Sequence, residues 1–189
     1  MSQKNVSQLV ASSSWETETL SATAWEDFQD DWQKNSSAQQ ERLEEIRCKA
    51  EALFQAARGQ HFEDGLESEF SNELIALIEK HDEVAINAIA RLVGSAIVHD
   101  EVVSEALRWL GRMNHPSTYH SRLLLLEGSL FSPSARVRDG AALGLAAMDD
   151  SHAIFYLEQA IQMEKQAELR EDLKQVLTQL EASKQCRIF

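Results

Sequence analysis

Breakers and thiols are scarce in this chain. Two prolines and seven glycines in 189 residues leave few places where a helix is forced to stop. The natural reading is long helices joined by short turns. The two cysteines, Cys48 and Cys186, are far apart and form no CxxC pair or disulfide framework, which fits a reducing, cytoplasmic setting. No apolar run approaches the ~18 residues of a spanning helix, so no membrane association is expected. The first apolar run, Leu9-Val10-Ala11, is too short for the core of a secretory leader.

Chemical motifs are scarce as well. No GxxxxGK, GxGxxG or GxSxG string occurs. His61, His81, His99, His115, His120 and His152 make no HxxH, HxxxH or HExxH pair, so a helical zinc pair is not on offer. His115 and His120 flank a turn with Pro116 and Tyr119 and read as surface residues. The acidic pairs Asp30-Asp31, Glu44-Glu45 and Asp149-Asp150 read as solvated, because a working pair needs a pocket that separates two pKa values. Neither catalysis, a metal nor a cofactor is expected.

Charge is abundant and one-sided. Lys and Arg number 18 against 31 Asp and Glu, a formal net charge of −13. Such a surface repels phosphate and argues against direct nucleic-acid binding. It suits solubility or a basic protein partner.

Taken in order, residues 1 to about 22 are Ser, Thr, Gln and Glu rich and are expected to stay disordered. Thr23 and Glu26 then form a capping box for a short helix at about 24–33. Trp25, Phe28 and Trp32 fall on one face of it, with Glu26, Asp27, Asp30 and Asp31 around them. An acidic helix with three aromatic anchors suits either a partner's hydrophobic groove or docking onto this same chain. The tail is taken as 1–36. Ser37 and Gln40 make a second box, opening a helix over 37–58 with Leu43, Ile46, Ala50, Leu53, Phe54 and Ala57 inward and Gly59 at its end.

Beyond Gly65 the chain repeats. The spacing predicts helices at 66–80, 82–96, 100–113, 117–131, 134–148, 151–165 and 167–183. Leu66, Val102 and Val137 occupy equivalent positions, as do Phe70, Ala106 and Ala141, then Leu74, Leu110 and Leu145, then Leu77, Met113 and Met148; the step is 36 and then 35 residues. A period of two helices signals an α-solenoid. Asp82 and Asp100 read as N-caps, Asp150 and Ser151 as caps for the helix after them, and Pro116 and Pro133 as helix-start signals. Loops this short force neighbouring helices antiparallel. Trp109 is expected in the core opposite Gly144. The architecture expected is all-α: about three antiparallel pairs, an extra N-terminal helix and a C-terminal capping helix, over 37–183, with a tail at 184–189.

Val137-Arg138-Asp139-Gly140-Ala141-Ala142-Leu143-Gly144-Leu145, then Met148-Asp149-Asp150 and Ala153 to Ile161, resembles a HEAT repeat of the short bacterial kind associated with phycobilisome lyases. The match covers about 35 residues, loosens over 100–131, where Val103 and Asn114 replace the family's Arg and Asp, and fades before residue 98. The resemblance implies an Asp/Arg ladder through Arg138 and Asp149. It also implies an inner binding face on the second helix of each pair, which directs attention to Asn87, Arg91, Arg122, Glu127, His152, Tyr156, Gln159 and Gln162. The chief partner-binding candidates are Trp25, Phe28, Trp32, Arg122, His152, Tyr156 and Gln159. The expected function is a non-catalytic protein-binding adaptor. An accessory subunit of a bilin lyase and an acidic inhibitor or immunity protein for a basic partner are the alternatives. The closing Cys186-Arg187-Ile188-Phe189 has the C-a-a-X form without a second lipidation signal, and is read as unmodified.

Overall fold

The computed structural model describes residues 22–63, 66–95 and 97–186, and for 22–36 the backbone alone. Among the described residues there are seven α-helices, one 3-10 turn and no strand. The helices are α1 (Ala22–Ala56), α2 (Glu69–Val93), α3 (Asp100–Arg112), α4 (Tyr119–Ser129), α5 (Ala135–Met148), α6 (Ala153–Met163) and α7 (Ala167–Cys186), with the 3-10 turn at Pro116–Thr118 before α4. The all-α expectation holds. Packing separates Met1–Gln40 from Glu41–Phe189, and the core lies within the second unit. The disorder expected of residues 1–21 falls outside the described residues.

The first departure is at Ser37. α1 runs through it unbroken, so no helix starts there. Between Ala22 and Ala56 the chain has neither glycine nor proline, and an interior serine costs only about 0.5 kcal/mol against alanine. Ile46, Ala50, Leu53, Phe54 and Ala57 are buried as expected, whereas Leu43 is exposed. Gly59 (φ 83°) lets the chain leave the helix.

The second departure is the start of α2. Ser68 and Ser71 exchange side-chain and backbone hydrogen bonds in a capping box (2.8 and 3.1 Å). Leu66 therefore precedes the helix and is 59% exposed, unlike Val102 and Val137. The other repeat positions keep phase. Phe70, Ala106 and Ala141 are buried, and Leu74, Leu110 and Leu145 are fully so. The break expected near residue 81 is present, but Asp82 is no N-cap. It has φ 49° and ψ −131° and splits α2 into legs 69–81 and 83–93. A non-glycine residue holds such a conformation at a cost of about 1–3 kcal/mol, and Asp82 is held by the Ser117 hydroxyl, which donates to Oδ1 at 2.6 Å. Asp100 is not the cap of α3 either. His99 is, and Asp100 places its carboxylate in the first turn, where the helix dipole favours it.

The most extensive helix contact is between α3 and α5, and it depends on missing side chains. A Cβ on Gly111 would lie 2.0 Å from the Gly144 carbonyl oxygen, and one on Gly140 would lie 2.6 Å from that of Ser104. The atoms nearest Gly144 belong to Leu107 and Leu126, so Gly111, Leu107 and Leu126, not Trp109, are the partners of Gly144. Trp109 is buried nonetheless, its indole donating to Glu105 Oε1 at 2.6 Å.

Arginines close the turns. Arg122 of α4 donates to the carbonyls of Met113 (2.9 Å) and His115 (3.0 Å) and also to that of Leu110. Arg138 of α5 reaches the carbonyls of Ser132 and Pro133 (2.9 and 3.1 Å). Arg138 also grips Glu164 through two parallel bonds of 2.7 and 2.9 Å. Arg170 of α7 donates to the Glu164 carbonyl. Glu164, 5% exposed, accepts in turn the amides of Lys165 and Gln166 at the start of α7 (2.8 and 3.0 Å).

Two stability predictions follow from this packing. Gly111→Ala and Gly144→Ala each lower unfolding free energy by about 1–3 kcal/mol or more, read by urea denaturation, because backbone atoms rather than flexible tips occupy the space at Gly111 and the Leu107 carbonyl abuts Gly144. Arg138→Met costs about 3–5 kcal/mol by leaving the buried Glu164 carboxylate without a counter-charge. Arg138 first, then the two amides, hold the Glu164 carboxyl below the ordinary range. Its stabilisation is therefore complete at neutral pH and lost as pH falls below that range. Glu164→Gln should flatten this acid limb in a series of melting curves.

Candidate functional site

α4 and α6 together carry four of the exposed large apolar side chains, and α1 and α5 carry one each, Leu43 and Leu143. Of nine large apolar side chains exposed among the described residues, Tyr119 and Leu124 lie on α4, Phe155 and Met163 on α6, and Phe131 just past α4; α3 and α7 carry none. Exposed apolar groups that lie close together mark interaction surfaces more than scattered ones do.

Two clefts flank the turn between α4 and α5. The larger, about 700 Å³, lies among the ends of α2, α3, α4 and α5. Val93, Val103, Leu124, Leu125, Phe131 and Val137 give it apolar walls; Ser95, Ser129, Ser132 and Ser134 supply polar groups, and Asp100 is its one charged lining residue. A volume of this size suits a buried side-chain cluster or small ligand. Gly128 lines it, and a Cβ there would meet nothing within 4 Å. The smaller cleft, about 340 Å³, shares Phe131, Ser132 and Pro133 and extends to Met163 and Lys165.

The candidates from the sequence divide. His152 and Gln159 are exposed on or just before α6, and Tyr156 is half-buried, its ring edge-on to Phe155 at 5.6 Å. Asn87, Arg91 and Gln162 are exposed. Arg122 is not on the surface. It is 1% exposed, its guanidinium spent on carbonyls, which removes it as a partner contact. Glu127, also expected to face outward, is 4% exposed. Trp25, Phe28 and Trp32 lie on the helical backbone of α1, but their side chains lie outside the described residues, as do Arg187, Ile188 and Phe189. Cys186 is exposed.

Sequence reasoning missed one arrangement. Asp82, His115 and Ser117 meet across the kink of α2: Ser117 Oγ is 3.0 Å from His115 Nδ1, and His115 Nε2 is 3.6 Å from Asp82 Oδ1. A nucleophilic relay needs the imidazole between hydroxyl and carboxylate. Here the Ser117 hydroxyl donates directly to Asp82, so the trio works as a staple joining the kink to the 3-10 turn. Its advance signal was slight: His81-Asp82-Glu83-Val84 recurs as His99-Asp100-Glu101-Val102. Among the described residues no three His, Cys, Asp or Glu side chains are spaced to hold a metal ion, and no helix is long and apolar enough to cross a membrane.

Glu127 differs from the other buried charges. Arg122 and Glu164 make several hydrogen bonds and Arg108 donates one to Asp139 through its terminal nitrogen, whereas Glu127 Oε1 is buried with no hydrogen-bond partner. Burial pushes its carboxyl above the ordinary range, with Asp150 acting in the same direction and His152 and His120 opposing.

What the described residues define is an all-α protein with an apolar cleft among the ends of α2 to α5 and a buried glutamate with one oxygen unpartnered on α4. Compared with known proteins, the chain matches no family model, no curated protein and no solved structure.

A carboxyl raised by folding contributes stability below the ordinary glutamate range and loses it as pH climbs through the folded value. Glu127→Gln, which keeps shape and removes charge, should therefore raise the melting temperature at pH 7, by an amount equivalent to about 1 kcal/mol. The gain should shrink toward zero below pH ~4. Thermal melts of both proteins across pH check it.

Proposed function

We propose that this chain is a non-catalytic protein-binding module, a short HEAT-like α-solenoid that receives a partner segment on the α4–α6 face and in the cleft beside Gly128. The observation that carries the reading is the concentration of Tyr119, Leu124, Phe131, Phe155 and Met163 there. The solenoid is supported by alternate packing: α3 on α5, α5 on α7, α2 on α4 and α4 on α6. It is also supported by Glu101 and Arg136, which pair at 2.7 Å across 35 residues, one repeat period. Arg108 and Asp139 add a second rung at 3.1 Å, and Asp149 ends α5 in the left-handed conformation, in the turn where the resemblance places it.

A second reading, an acidic inhibitor or immunity protein for a basic partner, draws on the net charge of −13 and uses the same face. The bilin-lyase reading gains nothing from the larger cleft. Asp100 is its one charged lining residue, a poor match for a tetrapyrrole's propionates.

Gly128 provides the test. Gly128→Ala should stabilise the fold by about 0.5–1 kcal/mol, and Gly128→Phe should fill the cleft without unfolding the chain. Affinity capture from the native cells with the full chain and with Gly128→Phe checks the proposal. A protein recovered by the first and lost by the second is expected; equal recovery by both overturns it.

A further inference from the structure

Helix α2 is broken where its sequence supplies no breaker. Between Glu69 and Val93 there is neither glycine nor proline, yet Asp82 stands at φ 49°, ψ −131° between two helical legs. That part of backbone space belongs to glycine, and another residue occupies it only where its surroundings impose it. The surroundings here are the 3-10 turn. Ser117 Oγ donates to Asp82 Oδ1 at 2.6 Å, and His115 Nε2 lies 3.6 Å from the same oxygen. The apolar pattern ignores the break. On an unbroken helix the eight buried residues of α2, from Phe70 to Ile89, would fall within a sector of about 160°. The exposed Asn72, Glu73, Lys80, Asn87 and Arg91 would all lie outside it. A straight α2 is thus amphipathic from end to end.

We infer that Asp82 is the hinge of a segment exchange between two copies of this chain. Around it α2 straightens into one helix, and its first leg leaves its own core to pack into that of the second copy. Phe54 and Phe70, edge to face at 5.3 Å, hold the end of α1 to that leg, so the two travel together. Phe70, Leu74 and Ile78 share one core with Ala85, Ile86 and Ile89. Exchange re-forms those contacts between copies, so the packing is kept and only the hinge changes. Opening gives up the Ser117 bond to Asp82 and the freedom of an independent chain. It gains an unstrained Asp82 and the backbone hydrogen bonds of a continuous helix, the balance that makes a strained hinge prone to exchange. The closed monomer therefore dominates in dilute solution, and the exchanged dimer forms as concentration rises. The surface used is the core itself, which separates this exchange from any docking on α4 and α6.

Two variants of the full chain separate the hinge from the staple. Asp82→Ala and Asp82→Gly both lose the carboxylate, but only glycine accepts the kinked backbone. Helix propensity alone sets them apart by about fivefold at each of the two hinges, so the dimer dissociation constant of Asp82→Ala should be at least about tenfold below that of Asp82→Gly. Light scattering over a concentration series reads both constants, with wild type between them. Ser117→Ala, which keeps the strained residue and loses the staple, should dimerise at lower concentration than wild type. Should Asp82→Ala fail to fold in melting curves, Ser117→Ala against wild type carries the comparison. Equal constants within either pair, or monomers throughout, overturn the inference. Spin labels at Asn72→Cys and Asn87→Cys tell exchange from surface contact, with Cys48→Ser and Cys186→Ser as background and unlabelled chain in excess. A straight α2 holds these positions about 22 Å apart, and the kink brings them closer. The longer separation is expected in the dimer alone; a dimer with the separation of the monomer overturns the exchange.

Discussion

The fold depends on how its helices are allowed to end. The last carbonyls of a helix have no partners of their own and carry the negative end of its dipole. With few glycines to fold the chain back on itself, this protein uses cations. Arg122, Arg138 and Arg170 are each the fourth residue of the helix after a turn, and each reaches back to carbonyls of that turn or of the helix before it. Burial draws Arg122 below the usual arginine value, but that value is so high that the group stays charged. One side chain thus satisfies several orphan carbonyls, fixes the turn and sets where the next helix starts. At the α5–α6 turn, which lacks such an arginine, Asp149 takes φ 52° and Asp150 accepts the His152 amide.

Tight turns then decide which faces meet. With α3 and α5 drawn together until glycine backbones touch at Gly111 and Gly144, little room remains for side chains between them. Bulky apolar groups are left exposed elsewhere, four of them on α4 and α6 and one, Leu143, on the outer side of α5.

Much of this was legible in the sequence because it is periodic. Phe70, Ala106 and Ala141, and Leu74, Leu110 and Leu145, declare a core by spacing alone, and five helices from α3 to α7 begin and end within a few residues of the pattern. What periodicity cannot report is a polar residue turned inward by a distant partner. Arg122 and Glu127 look like solvated positions, since nothing local says that the carbonyls of Met113 and His115 need a donor. Ser37 shows the reverse error: a capping pattern is only permissive, and without a breaker beside it the helix continues. The surface at Leu124, Phe131 and Met163 was hidden too, because an apolar residue on an amphipathic helix looks the same whether its neighbour is another helix or solvent.

Arg122 and Glu127 sit on one short helix, both almost fully buried, and the contrast between them bears on function. A guanidinium with every reachable carbonyl engaged is what a fold needs to close a turn. A carboxylate with one oxygen unpartnered serves no such need, and a glutamine or a leucine of similar size would stabilise the same position better. Departures from local consistency with no structural return are where functional demands show. The exposed apolar groups of α4 and α6 carry the same message in hydrophobic form: both features are unfavourable in the isolated chain.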